Sequence, residues 1–284
     1  MSRIRKIPVP VYTDLQEKIS EMVIRSNQLL NDANEEYILA QNLISKVLGV
    51  KVDSCPPIAI KPYSNSFLSS GRLDAEYYQI KYESIEKRLK IAGDVVTTCK
   101  IYDNNFIPEN NKSYQYIELA NVDLMGGVSV SNEIYGDDLP TRARRLVKNG
   151  QVIISSIEGS LQSCALITEE YNKAVCSTGF YVIDSEQYNS ETLLVLFKSE
   201  AIQALLKKRC SGTILTAISK EEFEKMPLPE VDEITQNAIK EKVQDSFKLR
   251  KKSKELLDIA IKAVEMAIET GETSALLWLE VQNI

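Results

Sequence analysis

Two stretches of the chain share a pattern of apolar and small residues at alternating steps of three and four. The first runs Val23, Ser26, Leu30, Ala33, Tyr37, Ala40, Ile44, Val47, the spacing of a coiled-coil seam on a helix. A helix is predicted from Thr13-Asp14, either of which can cap it, with Gln16 or Glu17 in the first turn, to Gly49, a residue suited to the position just past a helix end. About 36 residues at 1.5 Å each make a rod of roughly 54 Å. The second seam runs Ile239, Val243, Ser246, Arg250, Ser253, Leu257, Ala260, Val264, Ala267, in a helix predicted from Asp232 to Thr270 and stopped by Gly271. Arg250 interrupts it, inside the basic run Lys248–Lys254.

The two stretches are copies. A shift of about 220 positions lays Gln16 on Gln236, Ile19 on Ile239, Val23 on Val243, Ser26 on Ser246 and Ala40 on Ala260. Each copy follows a Pro-x-Pro element, Ile7-Pro8-Val9-Pro10 and Met226-Pro227-Leu228-Pro229, with one more residue before the glutamine in the second. Small residues at Ser26, Ala33, Ala40, Ser246, Ser253 and Ala260 allow close approach. The simplest packing is an antiparallel hairpin whose open end carries the central region.

That region changes pattern. From Val50 to Ser70, prolines and serines without periodicity read as linker. Asp74 then caps a helix predicted to about Ile91, with Tyr77, Tyr78, Ile85 and Leu89 as buried contacts. Short apolar runs between turn residues predict strands at Tyr116–Leu119, Gly127–Ser131, Gln151–Ser155, Cys164–Ile167 and Phe180–Ile183. A helix from about Ser190 to Cys210 follows, then a run Thr213–Ile218, and Ser219 capping a short helix. The tail Ser274–Ile284 holds the only tryptophan, Trp278, and reads as an extra turn, an interaction patch or disorder.

Composition narrows the chemistry. With 44% hydrophobic and 26% charged residues, the chain has an ordinary globular balance. A net charge of −6 does not announce nucleic-acid binding, although a local basic strip can sit in an acidic protein. Histidine is absent, which removes Ser-His and Cys-His nucleophilic sites, His-ligated zinc and His general bases together. The five cysteines, Cys55, Cys99, Cys164, Cys176 and Cys210, are widely spaced with no Cys-x-x-Cys pair and read as reduced, buried small hydrophobes. No apolar run of about 18 residues and no charged-then-apolar leader is present, so a cytoplasmic location without a membrane partner is the expectation.

The chain resembles the specificity (S) subunit of type I restriction-modification systems. The matching stretches are Arg72-Leu73-Asp74-Ala75-Glu76-Tyr77-Tyr78, Tyr116-Ile117-Glu118-Leu119, Lys148-Asn149-Gly150-Gln151-Val152-Ile153 and Ser177-Thr178-Gly179-Phe180. They end in Gly212-Thr213-Ile214-Leu215-Thr216-Ala217-Ile218-Ser219 and the second Pro-x-Pro. Each motif alone is weak; their order and the flanking helix repeat make the combination fairly specific over nearly the whole chain. The resemblance implies an α+β fold: a globular mixed α/β target-recognition domain on a long antiparallel two-helix coiled coil. In domains this gives a helix over residues 1–50, linker over 51–70, recognition domain over 71–229, second helix over 230–271 and tail over 272–284. It implies double-stranded DNA, a methyltransferase (modification) subunit and a motor nuclease (restriction) subunit as partners. Two departures matter. A usual S subunit has two recognition domains and this chain has one, so two copies, or this chain with another half-subunit, would be needed to read a bipartite site. Glu158 also falls in a loop where relatives often carry a basic residue.

Reading bases needs groups that donate and accept hydrogen bonds, and phosphate contacts need cations and hydroxyls. Three stretches supply them: Lys112, Tyr114 and Gln115; Arg142, Arg144, Arg145 and Lys148; and Ser160 and Gln162 with Lys208, Arg209 and Thr213. Each has a bland reading beside it. The first is also a plain surface loop, the second a solvated helix face balanced by Glu133, Asp137 and Asp138, and the Lys207–Arg209 run the cationic last turn of a helix. No chemistry by the chain itself is expected: it has no Asn-Pro-Pro-aromatic motif, no cofactor loop and no phosphate loop, so no catalytic residues, metal or cofactor are assigned. Competing with the DNA-reading subunit are a degenerate scaffold that keeps only the helices and a module cut from a fused restriction-methyltransferase.

Overall fold

The computed structural model describes residues 11–49, 58–123, 125–127, 131–212 and 216–282. In chain order these form α1 (Thr13–Leu48), α2 (Phe67–Ser70), α3 (Ile80–Arg88), β1 (Ile91–Asp94), α4 (Val95–Thr98), β2 (Lys100–Ile101), β3 (Ser113–Ile117), β4 (Asn132–Tyr135), β5 (Ala143–Leu146), β6 (Val152–Ser155), β7 (Cys164–Leu166), β8 (Val175–Ser177) and β9 (Phe180–Asp184). Then come α5 (Ser190–Lys198), α6 (Glu200–Arg209), β10 (Cys210–Ser211), β11 (Ala217–Ile218), α7 (Lys220–Glu224), β12 (Pro227–Pro229), α8 (Glu233–Thr270) and α9 (Glu272–Val281). The fold is α+β. It divides into two compact units, Met1–Ile38 with Val243–Ile284, and Leu39–Lys242.

In the first unit α1 and α8 run antiparallel. Ser26 meets Ser253, Ser246 donates to the Ala33 carbonyl at 2.7 Å, and the Tyr12 hydroxyl donates to the Ala267 carbonyl at 2.9 Å. The seam on α1 is shifted from the expected one. Met22 and Leu29 are buried, whereas Val23 and Leu30 are 37% and 40% exposed. On α8, Ala263 replaces Val264. From Met22 onward and into the second unit, the buried positions of α1 are Met22, Ser26, Leu29, Ala33, Tyr37, Ala40, Ile44 and Leu48. Steps of 4-3-4 then recur every eleven residues, which follows a nearly straight helix better than a heptad does. Arg250 does not break the packing, because its guanidinium donates to Asn34 Oδ1 at 2.8 Å. Neither Thr13 nor Asp14 supplies the helix cap; the Leu15 N–H donates to Glu272 Oε1 at 3.0 Å. The tail is helix α9, and its Ala275 and Leu279 pack with Leu15, Met22 and Ala260.

The second unit holds two four-stranded sheets, ordered β2-β9-β6-β7 and β4-β3-β8-β5. All pairings are antiparallel except β3 with β8. Ile117 and Cys176 from one sheet and Ile153, Ala165, Phe180 and Val182 from the other share a core. The opposite face of the second sheet carries Tyr114, Tyr116, Ala143 and Val175. β6 is buried at all four positions, as a continuous apolar strand covered on both faces should be. Gly150 turns the chain into it at φ 84°, a conformation that favours glycine.

Two helix expectations change. The helix expected after Asp74 is a 3-10 turn (Glu76–Tyr78) followed by α3, the two separated by the extended backbone of Gln79, while the Asp74 carboxylate is held by Arg72 at 2.8 and 2.7 Å. The single helix expected from Ser190 is two, broken at Ser199, whose extended backbone ends α5. The second Pro-x-Pro is a strand: Pro227 and Pro229 lie opposite Asp94 and Ile91, and Leu228 is fully buried. Residues 128–130, in the strand expected at Gly127–Ser131, and 213–215, in the run Thr213–Ile218, lie outside the described residues, as do the first Pro-x-Pro and Cys55.

Candidate nucleic-acid interface

Strand direction decides which loops can act together. β3 runs parallel to β8, and β5 antiparallel to it, so Glu118, Arg142 and Thr178 fall at one end of that sheet. In the other sheet Ser155 lies opposite Phe180, and Ile154 opposite Cys164. The loop that joins β6 to β7 and the start of β9 therefore share an end too. Thr178-Gly179 joins the two sheets at that end.

Hydrogen bonds stitch these loops into one surface. Thr178 N–H donates to the Arg142 carbonyl at 2.7 Å, and Ser156 N–H and its hydroxyl both donate to the Gly179 carbonyl, at 2.9 and 3.0 Å. Glu158 N–H donates to the Thr216 carbonyl at 3.0 Å, and Ile218 N–H to the Ser156 carbonyl at 2.8 Å. The Ser160 hydroxyl lies 2.9 Å from that of Ser155. Glu158, Gly159, Ser160, Gln162, Gln203 and Lys207 line a depression beside it.

Of the sequence candidates, Arg142, Ser160 and Gln162 lie at this Gly179 end. Arg142 is exposed, and its guanidinium sits 3.4 Å from Glu118 Oε2. The Tyr116 hydroxyl first, and the Glu118 carboxylate after it, hold Arg142 above its ordinary value. Gln162 is exposed, while its carbonyl accepts from Lys198 Nζ at 2.7 Å. Lys198 itself is buried, and desolvation lowers its pKa. Thr213 lies outside the described residues.

Lys112 and Lys148 are exposed but sit at the other end of the same sheet, at the start of β3 and after β5. The basic cluster is a strand and its flanks rather than a helix face. Arg144 occupies the irregularity between Ala143 and Arg145, half-buried. Arg145 turns back to the Asp103 carbonyl and to Asn105 Oδ1 at 2.7 Å, holding the loop before β3. Gln115 is half-buried opposite Glu133.

Three candidates point into the fold. Tyr114 is 6% exposed, stacks edge-on against Phe106, and its hydroxyl accepts from the Glu109 N–H. Lys208 donates to both oxygens of Glu86, at 2.9 and 2.8 Å, over the Tyr77 ring. Arg209 is buried, 3.5 Å from the same Glu86. Lys208 and Arg209 at the end of α6 thus face a carboxylate on α3, while Lys207 is exposed.

That pairing explains the Arg72–Tyr78 motif. Arg72 forks onto Asp74, donates to the Cys210 carbonyl at 2.6 Å and lies over the Tyr77 ring. The paired carboxylate raises the Arg72 pKa, and the guanidinium in turn holds Asp74 below the usual carboxylate range. The motif joins the start of the domain to its close. Sequence reasoning gave no role to Glu118 or Thr178, whose only signal was membership of an ordered set of motifs, whereas Ser156 opens the candidate stretch Ser156–Ser163. Among the described residues, no three acidic or cysteine side chains gather in a way that could hold a metal ion, and no helix is long and apolar enough to cross a membrane.

No family model and no curated protein matches the chain. Solved structures do. A chain from work on complex assembly and conformational transition of the type I R-M system is similar over 62% of this chain and 48% of its own length, with 24% identity and a TM-score of 0.46. The HsdS subunit from Thermoanaerobacter tengcongensis matches over 62% and 48%, with 23% identity and a TM-score of 0.44. The type I restriction-modification system S subunit from M. genitalium matches over 92% and 60%, with 11% identity and a TM-score of 0.42. The match spans about half the length of the first two. The chain is thus similar to S subunits of type I restriction-modification systems, the class its ordered motifs resemble.

Proposed function

We propose that this chain is a DNA sequence-recognition subunit of a cytoplasmic type I restriction-modification complex. It reads one half of a bipartite target with the Gly179 end of its two sheets. The observation that carries this reading is the convergence there of three segments: Arg142 before β5, Thr178 between β8 and β9, and Ser156, Ser160 and Gln162 in the β6–β7 loop. Loops held on rigid strands are a common way to present polar groups to a ligand. The chain does no chemistry; methyltransferase and restriction subunits supply it, docking on the helices. With one recognition domain, two copies or two half-subunits pair to read a full site, and a symmetric pair favours a symmetric target.

The test is selection from a random duplex library with a methyltransferase subunit present. Enrichment of one short sequence, with strongly salt-dependent affinity, supports the reading. A second reading, a scaffold that retains the helices without reading DNA, is favoured by the net charge of −6 and by Glu118 and Glu158 at the same end. Loss of both sequence enrichment and salt dependence selects it. Sedimentation showing only monomer, with and without the methyltransferase subunit, rules out the pairing.

A further inference from the structure

Glu158 opens the 3-10 turn Glu158–Ser160 that follows β6, and its N–H is fixed to the Thr216 carbonyl at 3.0 Å. Its carboxylate has no hydrogen bond or ion pair among the described residues. Other carboxylates nearby are matched: Glu118 meets Arg142, and Glu76 meets Lys81 and Lys207. A free carboxylate on a DNA-facing surface is repelled by phosphate. It recovers that cost only by meeting a hydrogen-bond donor on the nucleic acid, because it is acceptor-only when ionised. Those donors are the amino groups of the bases, and cytosine N4 is the one suited to Glu. Adenine places an acceptor, N7, beside its amino group, which suits an amide instead.

The neighbouring residue makes room. Gly159 has no positive φ, and a Cβ built on it meets no atom within 4 Å. Among the described residues neither backbone geometry nor packing calls for glycine, and its bare turn leaves the half-buried Glu158 open to approach. Ser160, Gln162 and Lys207 line the same depression with donors for adjoining base edges and phosphate.

Resting on the DNA-reading proposal, we infer that Glu158 is a specificity-determining residue that accepts a hydrogen bond from the exocyclic amino group of a cytosine in the half-site. The experiment repeats the duplex selection with the full chain, Glu158→Gln and Glu158→Ala. The wild-type motif is expected to hold one cytosine preferred by about tenfold, the scale of one base-edge contact. Glu158→Gln moves that position toward adenine, Glu158→Ala flattens it, and the other positions stay unchanged. Because the carboxylate has no hydrogen bond or ion pair among the described residues, both variants are expected to keep the wild-type unfolding midpoint. A wild-type motif that neither variant alters overturns this inference and leaves the DNA-reading proposal standing. Absence of any wild-type motif overturns both.

Discussion

Ser26 and Ser253 meet hydroxyl to hydroxyl at 2.8 Å, and each hydroxyl also reaches the other residue's backbone carbonyl, at 3.0 and 2.9 Å. Seven residues further along α1 and seven back along α8, Ser246 reaches Ala33 in the same manner. The internal repeat lays Ser26 on Ser246 and Ala33 on Ser253, so the two contacts are images of each other under a local two-fold. The helices approach closely because four small residues stand where large ones would hold them apart. Ser26→Ala is expected to cost about 1 kcal/mol, the net worth of a hydrogen bond. Ser26→Leu costs more, about 1–3 kcal/mol, through overpacking. Urea unfolding measures both, and a Leu variant as stable as wild type would refute the close approach.

Glu272 caps a helix that begins at the other end of the sequence. Its carboxylate accepts from the Leu15 N–H at 3.0 Å, satisfying one of the donors that a helix start leaves free. Glu272→Ala should cost about 0.5–2 kcal/mol, the range for losing a cap. Glu272→Gln, which keeps an acceptor, should recover most of it. Hydrogen exchange at the Leu15 amide reports the site directly; unchanged protection in the Ala variant would remove the cap from the account.

Gln236 uses every polar atom it has. Its Oε1 accepts from the Asn189 N–H at 2.9 Å, its Nε2 donates to the Gln187 and Val231 carbonyls at 3.0 Å, and its backbone carbonyl accepts from Asn189 Nδ2 at 3.0 Å. Asn189 in turn caps α5. Gln236→Leu therefore leaves several groups unmet and is expected to cost about 1–3 kcal/mol. Gln16, its partner in the repeat, is exposed, and Gln16→Leu should change stability by less than about 0.5 kcal/mol. Equal costs at the two positions would show that the glutamine matters to the helix rather than to the domain.

How much of this was legible depended on whether a pattern was local. The ends of α1 and α8, the strands β6, β7 and β9 and the turn at Gly150 follow from periodicity and turn chemistry. The seam slipped by one residue at Met22 and Leu29, because heptad counting forces a period that a nearly straight helix does not keep. The break at Ser199 was hidden because strong helix formers flank it on both sides. Candidate site residues were harder. Residue type alone cannot separate Arg142, which faces out beside Glu118, from Arg209, which faces Glu86 on α3. Glu86 lies over a hundred positions earlier, and only the tertiary fold brings it there. The split between the Gly179 end and the end carrying Lys112 and Lys148 depends on β3 running parallel to β8, which no local pattern encodes.

Buried thiols predict an alkaline weakness. Desolvation pushes Cys99 and Cys164 up to about 11, and Cys176 and Cys210 up to about 12, from the ordinary 9.0. These folded values are raised, so their contribution is fully present below pH 9.0 and is lost as pH rises through 11 to 12. Lys198, lowered by desolvation, works in the opposite direction below its ordinary 10.5. The thiol contribution is therefore read as a difference: urea midpoints across pH 8 to 11, wild type against Cys176→Ala. The variant starts lower from lost packing but should fall less steeply above pH 9.0. Parallel slopes would mean that Cys176 does not titrate with unfolding.

If the DNA-reading proposal holds, the exposed Arg142 and the fold-holding Lys208 and Arg209 should behave differently. Arg142→Ala with Arg144→Ala is expected to weaken duplex binding without altering partner binding. It should also reduce the dependence of affinity on salt by about one unit for each phosphate contact removed. Lys208→Met breaks the pairing with Glu86 at 2.8 Å. It should lower the unfolding midpoint, leave the salt dependence of whatever folded protein binds unchanged, and spare the half-site sequence. Glu86→Ala is harsher than Lys208→Met, because it strands both Lys208 and the buried Arg209, and leaving a buried charge unpaired costs about 3–5 kcal/mol. Titrations at two salt concentrations, each paired with a unfolding curve, separate the groups. If Lys208→Met changes the salt dependence as much as the double arginine variant does, the Gly179 end is not where this chain meets DNA.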